Sequence, residues 1–261
     1  MTGEALQRAP VVTVAAIKGG GGKTTTCAAL AQAGKVSGLR VLALDTDPQA
    51  NLTAALSARQ SQAGVYSIIM ERGKAEDVIQ QTRQGIDVIG ACRDLSTIIE
   101  DRGGALRILQ ALEPIRGKYE LILIDTPPAA GILAYAALYA ADMVLSPIEA
   151  DTAGLQGLYN IADLTARMAK ARKRPYKTGS VITRYDARPK LNRHLHAVIE
   201  AKAGGIKFPL LATIRNGVPI KEALAMQENL YEYAPRSKPA QDYMELYKTV
   251  MDILKGDDTR E

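Results

Sequence analysis

Short apolar runs recur along the chain, separated by stretches whose apolar positions return every three or four residues. The first, VVTVAAI at 11–17, leads straight into glycines and predicts a buried strand. A helix is expected over 24–36, stopped by Ser37 and Gly38, followed by a second strand over 40–45. Runs of the same kind lie at 86–90, 121–125, 143–147, 180–183 and 210–214, with helical patterns at 105–112, 131–141 and 153–173. The stretch 238–255 reads as one amphipathic helix packing back on the body. Unbroken apolar strands are buried on both faces, which is the habit of parallel strands. Strand and helix alternating in this way predict an α/β fold, a mostly parallel, doubly wound sheet with helices on both faces. No repeat, low-complexity tract or long linker interrupts the pattern. The expected organisation is a tail over 1–10 and a single domain over 11–261.

Composition narrows the class. Of 261 residues, 47% are hydrophobic and 23% charged, as in ordinary globular proteins. No apolar run approaches the roughly 18–20 residues of a membrane span. The opening residues carry Glu4 and no apolar core, so they are not expected to form a signal peptide. Cys27 and Cys92 are the only cysteines, with no CxxC pair, which suits a reducing cytoplasm and argues against a zinc or iron–sulfur site. The net charge of +5 is mild, but its distribution is uneven: residues 167–207 hold twelve Arg or Lys against two acids, Asp186 and Glu200. Such a field attracts polyanions in a salt-dependent way; a solvated basic face is the alternative.

The chemistry concentrates in KGGGGKTT at 18–25, between the first strand and the first helix. Phosphate oxygens must be met by several backbone N–H groups at once, and side chains would obstruct that approach. Gly19, Gly20, Gly21 and Gly22 remove the obstruction and permit the backbone angles of an anion nest, while the helix adds its N-terminal dipole. Lys23 stands where a phosphate-loop lysine reaches the β- and γ-phosphates, and Thr24 offers a hydroxyl to Mg²⁺. The general GxxxxGK[ST] pattern would place glycine at Ile17 and is not met; KGGxGKTT, with a second lysine at Lys18, is.

Two acids, Asp45 and Asp47, follow the second strand in LDTDPQ. Parallel sheets place ligands beyond the carboxyl ends of their strands, so both acids are expected to face the phosphates. A carboxylate near the γ-phosphate can orient the attacking water, and a deeper one can hold a Mg²⁺-bound water. LILIDTPP at 121–128 is an apolar strand ending in Asp125, the form of a Walker B acid that binds the metal directly or through water.

With these elements in place, the chain resembles the ParA/MinD family of deviant-Walker ATPases, and ParA most closely, from Val11 to about Leu254. The resemblance is carried by IKGGGGKTTT (17–26), VLALDTDPQANLT (41–53), LILIDTPP (121–128), SPIEADTAGLQGL (146–158), ITRYDAR (182–188) and EALAMQENLYEYAPRSKPAQDY (222–243). It implies a sandwich homodimer holding two ATP molecules, with Lys18 reaching the other subunit's nucleotide. Lys23 would contact the β- and γ-phosphates, Thr25 the α-phosphate, and Asp47 would help position the hydrolytic water. Thr24, Asp45 and Asp125 would support Mg²⁺. Thr183 is carried over to the nucleotide site, and Tyr185 either stacks on the base or packs at the edge of the core. The family also implies ATP-dependent binding of nonspecific DNA, slow hydrolysis stimulated by a ParB-like partner, and a cytoplasmic, nucleoid-associated location. Arg188, Lys190, Arg193, Arg215, Lys221 and Arg236 are the candidate DNA contacts, each alternatively a surface charge. The cluster from Lys170 to Arg174 ends a long helix, where cations suit the dipole.

Two departures stand out. Ile17 replaces the polar residue many relatives carry before the signature lysine, and Ile214-Arg-Asn-Gly217 lacks a proline of the related stretch, with its arginine displaced by one position. The alternatives are a MinD-like membrane-associated regulator, a ParA-like protein positioning a protein cargo, and a cluster-carrying enzyme on the same fold. The tail MDILKGDDTRE at 251–261 is acidic at its tip, unlike a membrane-binding basic helix, and no membrane partner is expected. Paired cysteines, which the third alternative needs, are missing.

Overall fold

The computed structural model describes residues 8–98, 104–128 and 131–256. Its frame is one eight-stranded sheet: β1 (Val11–Val14), β2 (Val41–Asp45), β3 (Gln80–Gln81), β4 (Asp87–Ile89), β5 (Leu121–Asp125), β6 (Met143–Ile148), β7 (Lys177–Tyr185) and β8 (Leu210–Arg215). The order is β3-β4-β2-β5-β1-β6-β7-β8, parallel throughout except for the short β3, which pairs antiparallel with β4. This is the doubly wound parallel sheet expected from the apolar runs. The helices are α1 (Lys23–Val36), α2 (Asn51–Ala55), α3 (Val65–Ile69), α4 (Gly104–Leu112), α5 (Ile132–Ala140), α6 (Thr152–Arg172), α7 (Lys190–Ala203), α8 (Val218–Ala225), α9 (Leu230–Tyr233) and α10 (Lys238–Lys255).

Alternate residues of each strand feed opposite layers. Val12 and Val14 of β1 pack with Leu121, Leu123 and Leu145 under α1 and α10, whereas Val11, Leu42, Leu44, Ile122 and Ile124 face α3, α4 and α5. A third cluster lies between α5, α6 and α7, around Val144, Ile182, Ile199 and Phe208. Each such large side chain, fully removed from water, contributes about 1.5–3 kcal/mol. Helix α1 is rich in small residues because it is enclosed by the sheet and α10; a Cβ on Gly34 would lie 2.9 Å from Val41 Cγ2.

The last helix is fastened at both ends. Near its start the Arg215 guanidinium donates to both carboxylate oxygens of Asp242 at 2.6–3.1 Å. At its end Lys177 Nζ donates to the carbonyls of Ile253 and Leu254 at 2.7 and 3.0 Å. No helix among the described residues is long and apolar enough to cross a membrane. Of the expected tail over 1–10, residues 1–7 lie outside the described residues, as do residues 257–261, which include the acidic tip.

Candidate functional site

Strand β1 is central, with β5 on one side and β6 on the other, and the chain turns outward from it in opposite directions. That is a topological switch point, where the loops after parallel strands part and leave a crevice. The loops following β1, β2 and β5 meet there. Register sets Asp125 opposite both Val14 and Asp45. Cross-ties hold the three loop bases: the Thr46 hydroxyl donates to the Asp125 carbonyl at 2.7 Å, and the Thr126 hydroxyl to the Val14 carbonyl at 2.9 Å.

The loop from Lys18 to Gly22 takes a conformation that requires glycine. Gly20 and Gly22 have φ of 83° and 90°, the left-handed region. Gly22 caps α1 with no side-chain acceptor, so the first N–H groups of that helix stay open to a ligand. The wall behind the loop is tight: a Cβ at Gly21 would lie 3.1 Å from the Pro147 carbonyl oxygen, and one at Gly22 would lie 3.3 Å from Thr183 Oγ1. Thr183 itself is buried and donates to the Gly21 carbonyl at 2.9 Å, fastening β7 to the loop. Tyr185, half-buried at the end of β7, sits with its ring 5.0 Å from that of His196.

The two lysines occupy different surroundings. Lys23 is buried, and among the described residues its ammonium has a single hydrogen bond, 3.4 Å to the Lys18 carbonyl. Burial pulls it below the ordinary lysine value, against the opposing pull of the Asp125 and Asp47 charges. Lys18 has a half-exposed side chain, and its ammonium lies 3.3 Å from Asp151 Oδ2. Asp151 was not singled out in the sequence; it caps α6 through Gly154 N–H, and an acid just before a helix is the signal that could have found it. Thr25 is half-buried in the first turn of α1.

Two carboxylates, Asp125 and Asp47, act on Lys23, and a third, Asp45, lies beside Asp125. Asp125 is fully buried and accepts from the Thr24 hydroxyl at 2.6 Å, while its other oxygen, Oδ1, has no partner among the described residues. Burial and the nearby Asp45 charge push its pKa well above the carboxylate range. Asp45, also fully buried, is pushed up to about 6, chiefly by burial, although hydrogen bonds from Thr53 and from the Asp47 amide oppose the rise. Asp47 is nearly buried, and its Oδ1 accepts from Gln49 N–H at 2.9 Å. Among the described residues no group of three His, Cys, Asp or Glu is arranged to hold a metal by itself. A cation here would share its ligands with phosphate oxygens. The donor set fits Mg²⁺ in that role: one hydroxyl, one orphaned buried carboxylate oxygen, and a local excess of negative charge.

The candidate DNA contacts are distributed along the β7–β8 edge. Arg188, Lys190 and Arg193 lie in the exposed turn that opens α7, and Arg215 sits beside it, paired in register with Tyr185. Lys221 is exposed on α8 and Arg236 is exposed just before α10. Three of the six are engaged internally: the Arg193 guanidinium donates to the carbonyls of Ala187 and Arg188 at 2.7 and 2.9 Å. Arg188 grips Asp186 at 2.6 Å, which lowers that acid to about 2, and Arg215 grips Asp242. The basic stretch is further drawn down by structural bonds: Arg172 donates to carbonyls at the end of α5, Arg174 pairs with Asp142, and Arg184 with Glu149.

A family model described as an AAA domain matches residues 9–177 of this chain. The chromosome partitioning protein ParA of Caulobacter vibrioides is 32% identical over 251 residues, covering 92% of this chain and 93% of that protein. The sporulation initiation inhibitor protein Soj of Bacillus subtilis is 30% identical over 248 residues, covering 92% and 97%. Among solved structures, the cobyrinic acid a,c-diamide synthase of Mycobacterium smegmatis with bound ATP analog and magnesium has a TM-score of 0.81 at 24% identity, covering 95% of this chain and 97% of that one. At that identity the likeness concerns the fold.

Proposed function

The chain belongs to the ParA/Soj family of P-loop ATPases, and from that premise we propose that residues 11–261 work as one ATP-driven partition switch. In this reading two copies close over ATP and Mg²⁺, the closed dimer holds nonspecific DNA, and a ParB-like partner stimulates hydrolysis and releases it. The cargo is plasmid or chromosomal DNA, and the setting is the cytoplasm over the nucleoid.

The observation that carries the reading is the unequal placement of two lysines on one glycine loop. Lys23 is buried beside the cradle, while Lys18 stands at its rim, half-exposed and answered by Asp151 at 3.3 Å. A nucleotide held by one chain needs only the inner ammonium. A second one at the rim suits phosphates held by another copy.

The roles follow from chemistry. The amides of Gly19 to Gly22 and the start of α1 would receive phosphate oxygens, with Lys23 on the β- and γ-phosphates and Thr25 on the α-phosphate. Thr24 and Asp125 would hold Mg²⁺, with Asp45 behind them, and the bound ion would supply neutralising charge to the phosphate oxygens. Asp47, carried on the loop after β2, would orient the attacking water.

The test combines light scattering on a sizing column with nucleotide turnover. Asp47→Ala is expected to bind ATP and dimerise yet hydrolyse it poorly, whereas Lys23→Ala loses nucleotide. Retention of random duplex by the wild type should require ATP and fall steeply with salt. An Asp47→Ala protein that stays monomeric at saturating ATP, or DNA binding that ignores nucleotide, would overturn the switch.

A further inference from the structure

We propose that Thr53 is a positioning residue of the ATPase site: its hydroxyl clamps Asp45, and through Asp45 the backbone that carries Asp47. The inference rests on the ATPase reading above and assigns a role to a residue outside the phosphate loop and the acid pair.

The geometry starts at α2. This short helix begins after Ala50, which provides no side-chain cap. Its Thr53 N–H is satisfied instead by Asp45 Oδ2 at 2.8 Å, and the Thr53 hydroxyl donates to the same oxygen, also at 2.8 Å. That hydroxyl in turn accepts the Ala91 N–H at 2.9 Å, just past the end of β4. A hydroxyl has one proton. With Ala91 donating to it, the proton is directed to Asp45. The side chain has little room to turn: it is completely buried, and a Cβ on Gly90 would lie 3.0 Å from its methyl carbon.

The second oxygen of Asp45 closes the chain of contacts. Oδ1 accepts the Asp47 N–H at 3.1 Å. The order is therefore Ala91 N–H, Thr53 hydroxyl, Asp45 carboxylate, Asp47 N–H, running from the end of one strand to the loop of the next. Both Asp45 oxygens are held by protein donors, so the carboxylate stays turned toward α2 and its own loop while Asp125, its register partner, keeps an oxygen without a partner among the described residues. Thr53 thereby keeps the two acids in different tasks and sets where Asp47 stands relative to the phosphate loop. Nucleotide affinity depends on the glycine amides and Lys23, which Thr53 does not touch. Turnover depends on the placement of Asp47.

The experiment compares Thr53→Val, which keeps the shape and deletes the hydroxyl, with Thr53→Ser, which keeps the hydroxyl. Thr53→Val is expected to lose about tenfold or more in kcat, with ATP affinity changed less than about twofold, because misplacing a catalytic group penalises the chemical step and not binding. Thr53→Ser is expected to turn over ATP at close to the wild-type rate. A second readout needs no nucleotide: hydrogen exchange of the peptide spanning 45–50 should quicken in Thr53→Val and not in Thr53→Ser. Should the valine protein not fold, Thr53→Ala replaces it, with the same split expected. Wild-type kcat in the hydroxyl-deleted protein, an equal loss in Thr53→Ser, or parallel losses of affinity and rate each overturn the assignment. A wild type that binds ATP without turning it over overturns the ATPase reading itself, and this role with it.

Discussion

Replacing Asp125 by asparagine removes a fully buried charge that the Thr24 hydroxyl and the Lys23 ammonium offset only in part. Among the described residues the carboxylate accepts one hydrogen bond, from Thr24 at 2.6 Å, its Oδ1 has no partner, and Asp45 lies opposite in register. Asparagine is nearly isosteric, and its carbonyl oxygen can still accept from Thr24. Desolvation outweighs what Lys23 and Thr24 return to the carboxylate, and a buried polar group left short of partners costs about 1–3 kcal/mol, so the neutral side chain, which keeps the Thr24 bond, is expected to gain about 2 kcal/mol. For a chain of this size that is a rise of about 4–8 °C in melting temperature. The pH dependence has a definite sign. Asp45 is pushed up from 3.8 to about 6, and Asp125 well above its ordinary value, so the folded protein binds protons that the unfolded chain has released. The stability linked to these acids is fully present below the unfolded pKa and is lost as pH rises through the folded one. The advantage of Asp125→Asn should therefore be larger at pH 8 than at pH 5.5. Circular dichroism melts of both proteins at the two pH values, without nucleotide, measure it. Mg²⁺ and ATP should then stabilise the wild type and much less the variant, since binding to the native state alone raises its stability. If Asp125→Asn melts at or below the wild type at pH 8 without nucleotide, the buried charge is compensated in some other way and the argument for a cation at this position falls.

Two further outcomes test the surrounding structure. Gly22→Ala forces a side chain onto a φ of 90° and within 3.3 Å of Thr183 Oγ1, so urea unfolding should show a loss of about 1–3 kcal/mol together with weakened ATP binding. Arg215→Ala frees Asp242 from its guanidinium and should lower the melting temperature, whereas Lys221→Ala should leave it unchanged and weaken only DNA retention; equal melting of the two variants would show that the Arg215–Asp242 clamp carries no stability.

Much of the frame was legible because it rests on local pattern. The expected strand over 121–125 and helix over 238–255 appear as Leu121–Asp125 and Lys238–Lys255, since unbroken apolar runs and amphipathic spacing directly encode burial. The glycines of the phosphate loop were equally readable, because backbone angles such as those of Gly20 and Gly22 are demands that few other residues meet. The short pieces were not legible: β3 has two residues and exists only because β4 offers it an edge, and α2 has five and takes its N-terminal acceptor from Asp45, eight positions away.

The sequence by itself determined the alternation of strand and helix, the glycine cradle, and which acids end the strands beside it. Only the tertiary structure decided who partners whom. Lys18 meets Asp151 across 133 positions, Thr24 meets Asp125 across 101, and Arg215 meets Asp242 across 27. Periodicity and turn chemistry report each residue's own preference for burial or backbone angle. The neighbour of a charge is set by strand order and register, which exist only once the sheet has closed.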